Sequence, residues 1–137
     1  FDSSGYIFNN CTSLKNVIFS SGIEKIPDHL FYNSKNLNSL TSLTIPDSVT
    51  AIGDYAFSSC RGLTSISISD NVTSIGYYAF EYCTGLTSIS IPDSVTAIGN
   101  HAFSSCRGLT SISIPDSVTS IGYGAFYNCT GLTKAVI

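Results

Sequence analysis

Leu86-Thr-Ser-Ile-Ser-Ile-Pro-Asp-Ser-Val-Thr-Ala-Ile-Gly-Asn-His-Ala-Phe-Ser-Ser-Cys-Arg-Gly108 decides the fold, because the chain writes nearly this same stretch several times over. Gly-Leu-Thr-Ser-Ile-Ser-Ile stands at Gly62–Ile68, Gly85–Ile91 and Gly108–Ile114. Phe57, Phe80, Phe103 and Phe126 recur at one constant interval, and Cys60, Cys83, Cys106 and Cys129 recur at the same one. Self-similarity at a fixed period of this length marks a solenoid, in which each coil buries its apolar side against the next. Units that start at Leu run 14–36, 40–62, 63–85, 86–108 and 109–131, with partial units at 1–13 and 132–137. Residues 37–39 are an insertion. The whole of 1–137 therefore reads as a single repeat solenoid, and both ends, falling in mid-pattern, read as cut. A second order of repetition lies above the first: Ile45–Ser67 and Ile91–Ser113 differ only at Asp54/Asn100 and Tyr55/His101.

Within a unit the periodicity changes along the chain. Ile66 and Ile68 alternate with Ser65 and Ser67, as in a short half-buried strand. Pro92-Asp93 then stops the strand, since Pro has no N–H for a ladder and Asp favours turns. Val95-Thr-Ala-Ile98 is β-prone, and Gly99 is expected to turn the chain through a conformation that a side chain resists. Ala102, Phe103, Cys106 and Leu109 fall at offsets 0, 1, 4 and 7, a spacing that suits one helical or 3-10 turn. Stacked units predict an α/β solenoid. One face is a parallel sheet with rungs about 4.8 Å apart, and the other carries short strands and short helical or 3-10 turns. Like residues form interior columns: Leu63/Leu86/Leu109, Ile68/Ile91/Ile114, Val72/Val95/Val118, Ile75/Ile98/Ile121 and the Phe column.

Composition narrows the function. Only 11% of residues are charged against 43% apolar, so the surface must be made of Ser, Thr, Asn and Tyr. A net charge of −3 lacks the basic footprint that nucleic acid demands. No apolar stretch approaches the ~18 residues of a membrane span.

Leu-x-x-Ile-x-Ile-Pro followed by Ile-Gly-x-x-Ala-Phe-x-x-Cys resembles the BspA-like, or treponemal-type, class of leucine-rich repeats. The Leu positions 14, 40, 63, 86, 109 and 132 carry the resemblance, with Ala-Phe-x-x-Cys at Ala56–Cys60, Ala79–Cys83, Ala102–Cys106 and Ala125–Cys129. The first full unit departs from it: Pro27 replaces the Gly, Leu30 the Ala and Ser34 the Cys. The resemblance implies an extracellular, cell-surface protein that adheres to host matrix or to another cell through a protein or glycan ligand.

Chemistry is sparse. Cys11, Cys60, Cys83, Cys106 and Cys129 share one repeat slot. Neither close-spaced metal ligands nor the ~3.8 Å Cβ approach of a disulfide fits a column one rung apart, so buried reduced thiols are expected. Asp47, Asp70, Asp93 and Asp116 put one carboxylate on each rung, which Ca²⁺ could use, but a Pro-Asp-Ser turn ordinarily occupies its own Asp. His29 and His101 share a slot with Tyr55, Tyr78 and Gly124, and so varied a slot is expected to face solvent. No nucleophile elbow, phosphate loop or dinucleotide fingerprint occurs. Neither an enzyme nor a cofactor is expected. Asn71-Val72-Thr73 is a glycosylation sequon.

Two surfaces are candidates for binding. Outward strand residues form a hydroxyl face, Ser42/Thr44, Ser65/Ser67, Ser88/Ser90 and Ser111/Ser113, whose plainer reading is a solvated sheet. After the Gly stand Tyr55, Tyr77, Tyr78, His101 and Tyr123, with Tyr82 and Tyr127 nearby. Tyr offers large contact area with a polar tip; its plainer reading is cover for a rung edge. The sequence thus leaves an adhesive or protein-binding module, with a purely structural spacer as the alternative. Open rung ends predict end-to-end self-association.

Overall fold

The computed structural model describes Ile7, Phe8 and residues 10–137; the partial unit expected over 1–13 falls in part outside them. The chain coils into stacked rungs. Its strands are β1 (Lys25–Ile26), β2 (Ser42–Thr44), β3 (Ala51–Ile52), β4 (Ser65–Ser67), β5 (Ser74–Ile75), β6 (Ala97–Ile98), β7 (Ser111–Ser113), β8 (Ser120–Ile121) and β9 (Lys134–Val136). All pairings are parallel. β1-β3-β5-β6-β8 make a five-stranded sheet, while β2-β4 and β7-β9 make two separate pairs.

The register is that of the repeat. Ile52 pairs with Ile75, Ile75 with Ile98 and Ile98 with Ile121. Lys25 pairs with Ala51 and Ile26 with Ile52, one period plus the insertion away, so the column continues past residues 37–39. The insertion itself is absorbed as an extra turn, which buries both Leu37 and Leu40. Phe31, Phe57, Phe80 and Phe103 are fully buried. Their rings stack along the axis with centroids 5.2–5.6 Å apart, and Phe8 and Phe126 extend the column at either end. Offset stacking contributes about 1 kcal/mol per pair beyond the area buried.

Three expectations are corrected. First, there is no helix among the described residues. The Ala-Phe-x-x-Cys arm is a run of turns in which alternate N–H groups point in different directions. Those of Ala56, Ser58 and Cys60 bond back within the arm, to Gly53, Tyr55 and Phe57. Those of Tyr55, Phe57 and Ser59 bond instead to the carbonyls of Tyr77, Ala79 and Glu81 on the next rung. A helix would keep all these donors to itself; stacking diverts every second one along the solenoid axis.

Second, the glycines at 53, 76, 99 and 122 do not have positive φ. They are required for close approach. A Cβ on Gly99 would lie 2.7 Å from the backbone of Gly76 and Tyr77.

Third, the Ser face is not one continuous sheet. Ser88-Ile89-Ser90 repeats 65–67 and 111–113 residue for residue, yet it forms no ladder with either. Its rung is held there through threonines alone: the amide and hydroxyl of Thr87 donate to the Thr64 carbonyl, and those of Thr110 to the Thr87 carbonyl, at 3.3–3.4 Å. Strands this short carry so few ladder bonds that small changes in rung spacing break them.

Candidate functional site

The diverted hydrogen bonds also set the backbone of the arm. Two residues per rung adopt left-handed φ: the slot of His29, Tyr55, Tyr78, His101 and Gly124 (φ 54–61°), and the slot of Asn10, Asn33, Ser59, Tyr82, Ser105 and Asn128 (φ 55–66°). A non-glycine residue there costs about 1 kcal/mol, which the inter-rung bonds offset. In the first slot such a backbone turns the side chain along the arm; in the second, Tyr82 is exposed while Ser59 and Ser105 stay buried.

In the first of these slots the rings do not simply face water. His29, Tyr55, Tyr78 and His101 are half-buried and stack into a second aromatic column. Centroids are 5.1, 4.7 and 4.9 Å apart, with interplanar angles of 11°, 7° and 15°. Tyr32 closes on this column edge-on. Gly124 ends it: no ring follows His101 in the slot, and Tyr123 meets it edge-on at 5.4 Å. Partial burial pushes the Tyr55 phenol above its ordinary range, and the neighbouring Tyr78 and Glu81 add to the shift.

The preceding slot points outward. Tyr77 is 53% exposed and Tyr123 81%. They alternate along the stack with Asp54 and Asn100, whose Oδ1 atoms accept the N–H of Tyr77 and of Tyr123, each at 2.8 Å. One rung earlier, Asp28 Oδ1 accepts the N–H of Asp54. Burial would raise the Asp28 carboxyl, but the Lys25 ammonium 2.9 Å away and the Asp54 N–H hold it below the usual range. The two differences between the long repeats are thereby explained. Asp54 and Asn100 both present an Oδ1, and Tyr55 and His101 both present a flat ring.

The sequence candidates thus separate. Tyr55, Tyr78 and His101 belong to the stack, whereas Tyr77 and Tyr123 are exposed. Ser65, Ser67, Ser111 and Ser113 lie exposed on paired strands, and Ser88 and Ser90 lie exposed on the unpaired rung. A shallow groove of about 480 Å³ runs over Ser88, Ser90, Ser111 and Ser113 toward Lys134. Nearby hydroxyls are engaged: Thr64, Thr87, Thr110 and Thr133 each donate to the equivalent Thr carbonyl one rung back. Asn71 of the sequon donates its amide to the Asp47 carbonyl at 2.8 Å.

Cys60, Cys83 and Cys106 are buried free thiols, Cys129 is half-buried and Cys11 is exposed. The thiols of Cys83, Cys106 and Cys129 donate to the carbonyls of Phe57, Phe80 and Phe103 at 3.0–3.2 Å. Burial pushes Cys60, Cys83, Cys106 and Cys129 up, away from the thiolate. No group of three or more His, Cys, Asp or Glu is placed to hold a metal among the described residues. No helix there is long and apolar enough to cross a membrane.

Two residues escaped the sequence reading of sites: Lys35 and Arg61. Lys35 and Arg61 occupy one slot on successive rungs, separated by one period plus the insertion at 37–39. Their adjacency is legible only when the insertion is counted.

The family described as BspA type leucine rich repeat region matches residues 4–42 and 35–137, in 6 copies. A leucine rich repeat protein of T. pallidum is 35% identical with a TM-score of 0.78, over 82% of this chain and 51% of its own. One from Bacteroides ovatus is 34% identical with a TM-score of 0.74, over 84% of this chain and 29% of its own. A leucine rich cell surface protein from Faecalibacterium prausnitzii is 32% identical with a TM-score of 0.67, over 84% of this chain and 36% of its own. The chain therefore spans about half, or less, of the proteins it is similar to. No curated protein matches it.

Proposed function

Because the chain belongs to the BspA-type leucine-rich repeat family, we propose that residues 1–137 form one solenoid block of a non-catalytic, extracellular binding module. It holds a protein or glycan of host matrix or of another cell. The observation that carries this reading is the outward row of tyrosines. Tyr77, Tyr82, Tyr123 and Tyr127 stand exposed on an arm whose backbone is bonded rung to rung. Large amphipathic rings on a pre-ordered backbone lose little entropy when they meet a partner. The cell-surface description of the Faecalibacterium relative supports a surface location. The exposed serines at 65, 67, 88, 90, 111 and 113 offer a second, hydroxyl-rich face to the same partner. A spacer role is the alternative, favoured by how little charge that face carries.

The test is a panel of immobilised matrix proteins and glycans. It compares the full chain with Tyr77→Asn plus Tyr123→Asn, since Asn100 shows that Asn is at home in this slot. We expect at least one panel member to bind the native chain and to lose roughly tenfold or more with the double variant. Binding by no member, or equal binding by both proteins, favours the spacer.

A further inference from the structure

The turn arm carries a groove that the exposed tyrosines and strand serines do not line, apart from Tyr82 at its rim. It has a volume of about 420 Å³ and lies between Tyr32, Lys35, Arg61, Glu81 and Tyr82, with the buried Ser58 and Ser59 at its base. Lys35 and Arg61 are exposed and, among the described residues, neither is in an ion pair. The carboxylate that lines the same groove, Glu81, accepts from the Ser58 hydroxyl at 3.5 Å.

This pairing of cations occurs at one place in the stack. The slot reads Thr12, Lys35, Arg61, Thr84, Arg107 and Thr130 along the chain. Only Lys35 and Arg61 occupy successive rungs; Arg107 has a Thr on both sides. The flanking slots are equally particular. Glu81 stands where Ser58 and Ser104 stand on neighbouring rungs, and Tyr82 where Ser59 and Ser105 do. In a chain with 6 Lys and Arg in 137 residues, two adjacent cations beside a ring and a carboxylate need a reason. Rung stability is not one, since Thr and Ser serve elsewhere.

We infer that this groove binds a carboxylated sugar, a uronic or sialic acid unit of a glycan. The guanidinium of Arg61 matches a carboxylate in its plane, and Lys35 adds a point charge from the rung below. The electron-rich face of Tyr82 takes the C–H side of a sugar ring. Glu81 accepts from sugar hydroxyls, donors that acidic side chains do not carry. The site shares Tyr82 with the exposed tyrosines proposed above, but Tyr77 and Tyr123, whose variants test that reading, lie outside the groove, so each reading can fail alone.

The experiment titrates the isotopically labelled full chain with sialyllactose, with a glucuronate-containing tetrasaccharide, with lactose and with a glutamate oligomer, followed by NMR shifts. We expect saturable shifts from one of the two acidic sugars, identifying the source, and none from lactose. Arg61→Thr should weaken that binding roughly tenfold or more, whereas Arg107→Thr should leave it unchanged. Both variants place a residue that the slot already accepts at Thr84, so folding is preserved. Equal binding of lactose, equal loss in both Arg variants, tighter binding of the glutamate oligomer, or no binding of either acidic sugar overturns the assignment.

Discussion

At position 34 a serine fills a place that a cysteine fills on four later rungs. The sulfur reaches the Phe carbonyl of the rung behind at 3.0–3.2 Å for Cys83, Cys106 and Cys129, and at 3.8 Å for Cys60. The shorter C–O bond of Ser34 does not reach, and its buried hydroxyl has no partner. Ser34→Cys should therefore stabilise the protein by about 1 kcal/mol, read as a higher denaturation midpoint with unchanged slope. No gain would mean that the hydroxyl is satisfied by other means. Glu81 gives a pH signature. Its burial pushes the carboxyl above the ordinary range, against a lowering by Ser58 and His101. A raised folded value means that folding favours the protonated form, so this contribution is complete below the unfolded carboxylate range and lost as pH rises through the folded value. Glu81→Gln should accordingly raise Tm at neutral pH and lose that advantage in acid, below the carboxylate range. A difference independent of pH would assign the effect to packing. The burial of Cys60, Cys83 and Cys106 followed from their shared slot, but the exposure of Cys11 did not, because it depends on what covers the first rung.

Among the elements, the turn arm is where spacing alone misled. Offsets 0, 1, 4 and 7 describe a face of a helix, and the residues concerned, Ala102, Phe103, Cys106 and Leu109, are indeed all buried. The inward face was legible; the hydrogen-bond partners were not, since a donor that bonds to the following rung leaves no local pattern. The Gly column shows the same division. Its recurrence was plain, while its cause is a neighbouring backbone rather than the glycine's own torsion. Gly99→Ala should cost about 2–3 kcal/mol, as overpacking does, because the atoms it meets are backbone and cannot rotate away. Gly22→Ala meets nothing within 4 Å and should be close to neutral. Similar midpoints for the two variants would show that the rungs can part at Gly99 without loss.

For the whole molecule, the final rung of the described chain leaves apolar groups uncovered: Ile121 is 44% exposed, Val136 47% and Ile137 90%. Among the described residues strand β9 pairs only with β7, so residues 1–137 taken alone offer its other edge as a template for another chain. Sedimentation velocity should show association that grows with concentration and is suppressed by Ile121→Lys with Val136→Lys. A strictly monomeric native chain, or association unaffected by the pair, would remove this edge from consideration. What the sequence determined by itself was the coil: its repeat length, the main interior columns and the resemblance that named the family, because each depends only on like residues recurring at like intervals. Tertiary structure alone decided which tyrosines stack and which stand free, that alternate amides reach to the next rung instead of closing a helix, and that Lys35 and Arg61 come to share one groove. Those outcomes depend on distances between residues on different rungs, and a one-dimensional period fixes which residues are stacked but not how far apart or at what angle they meet.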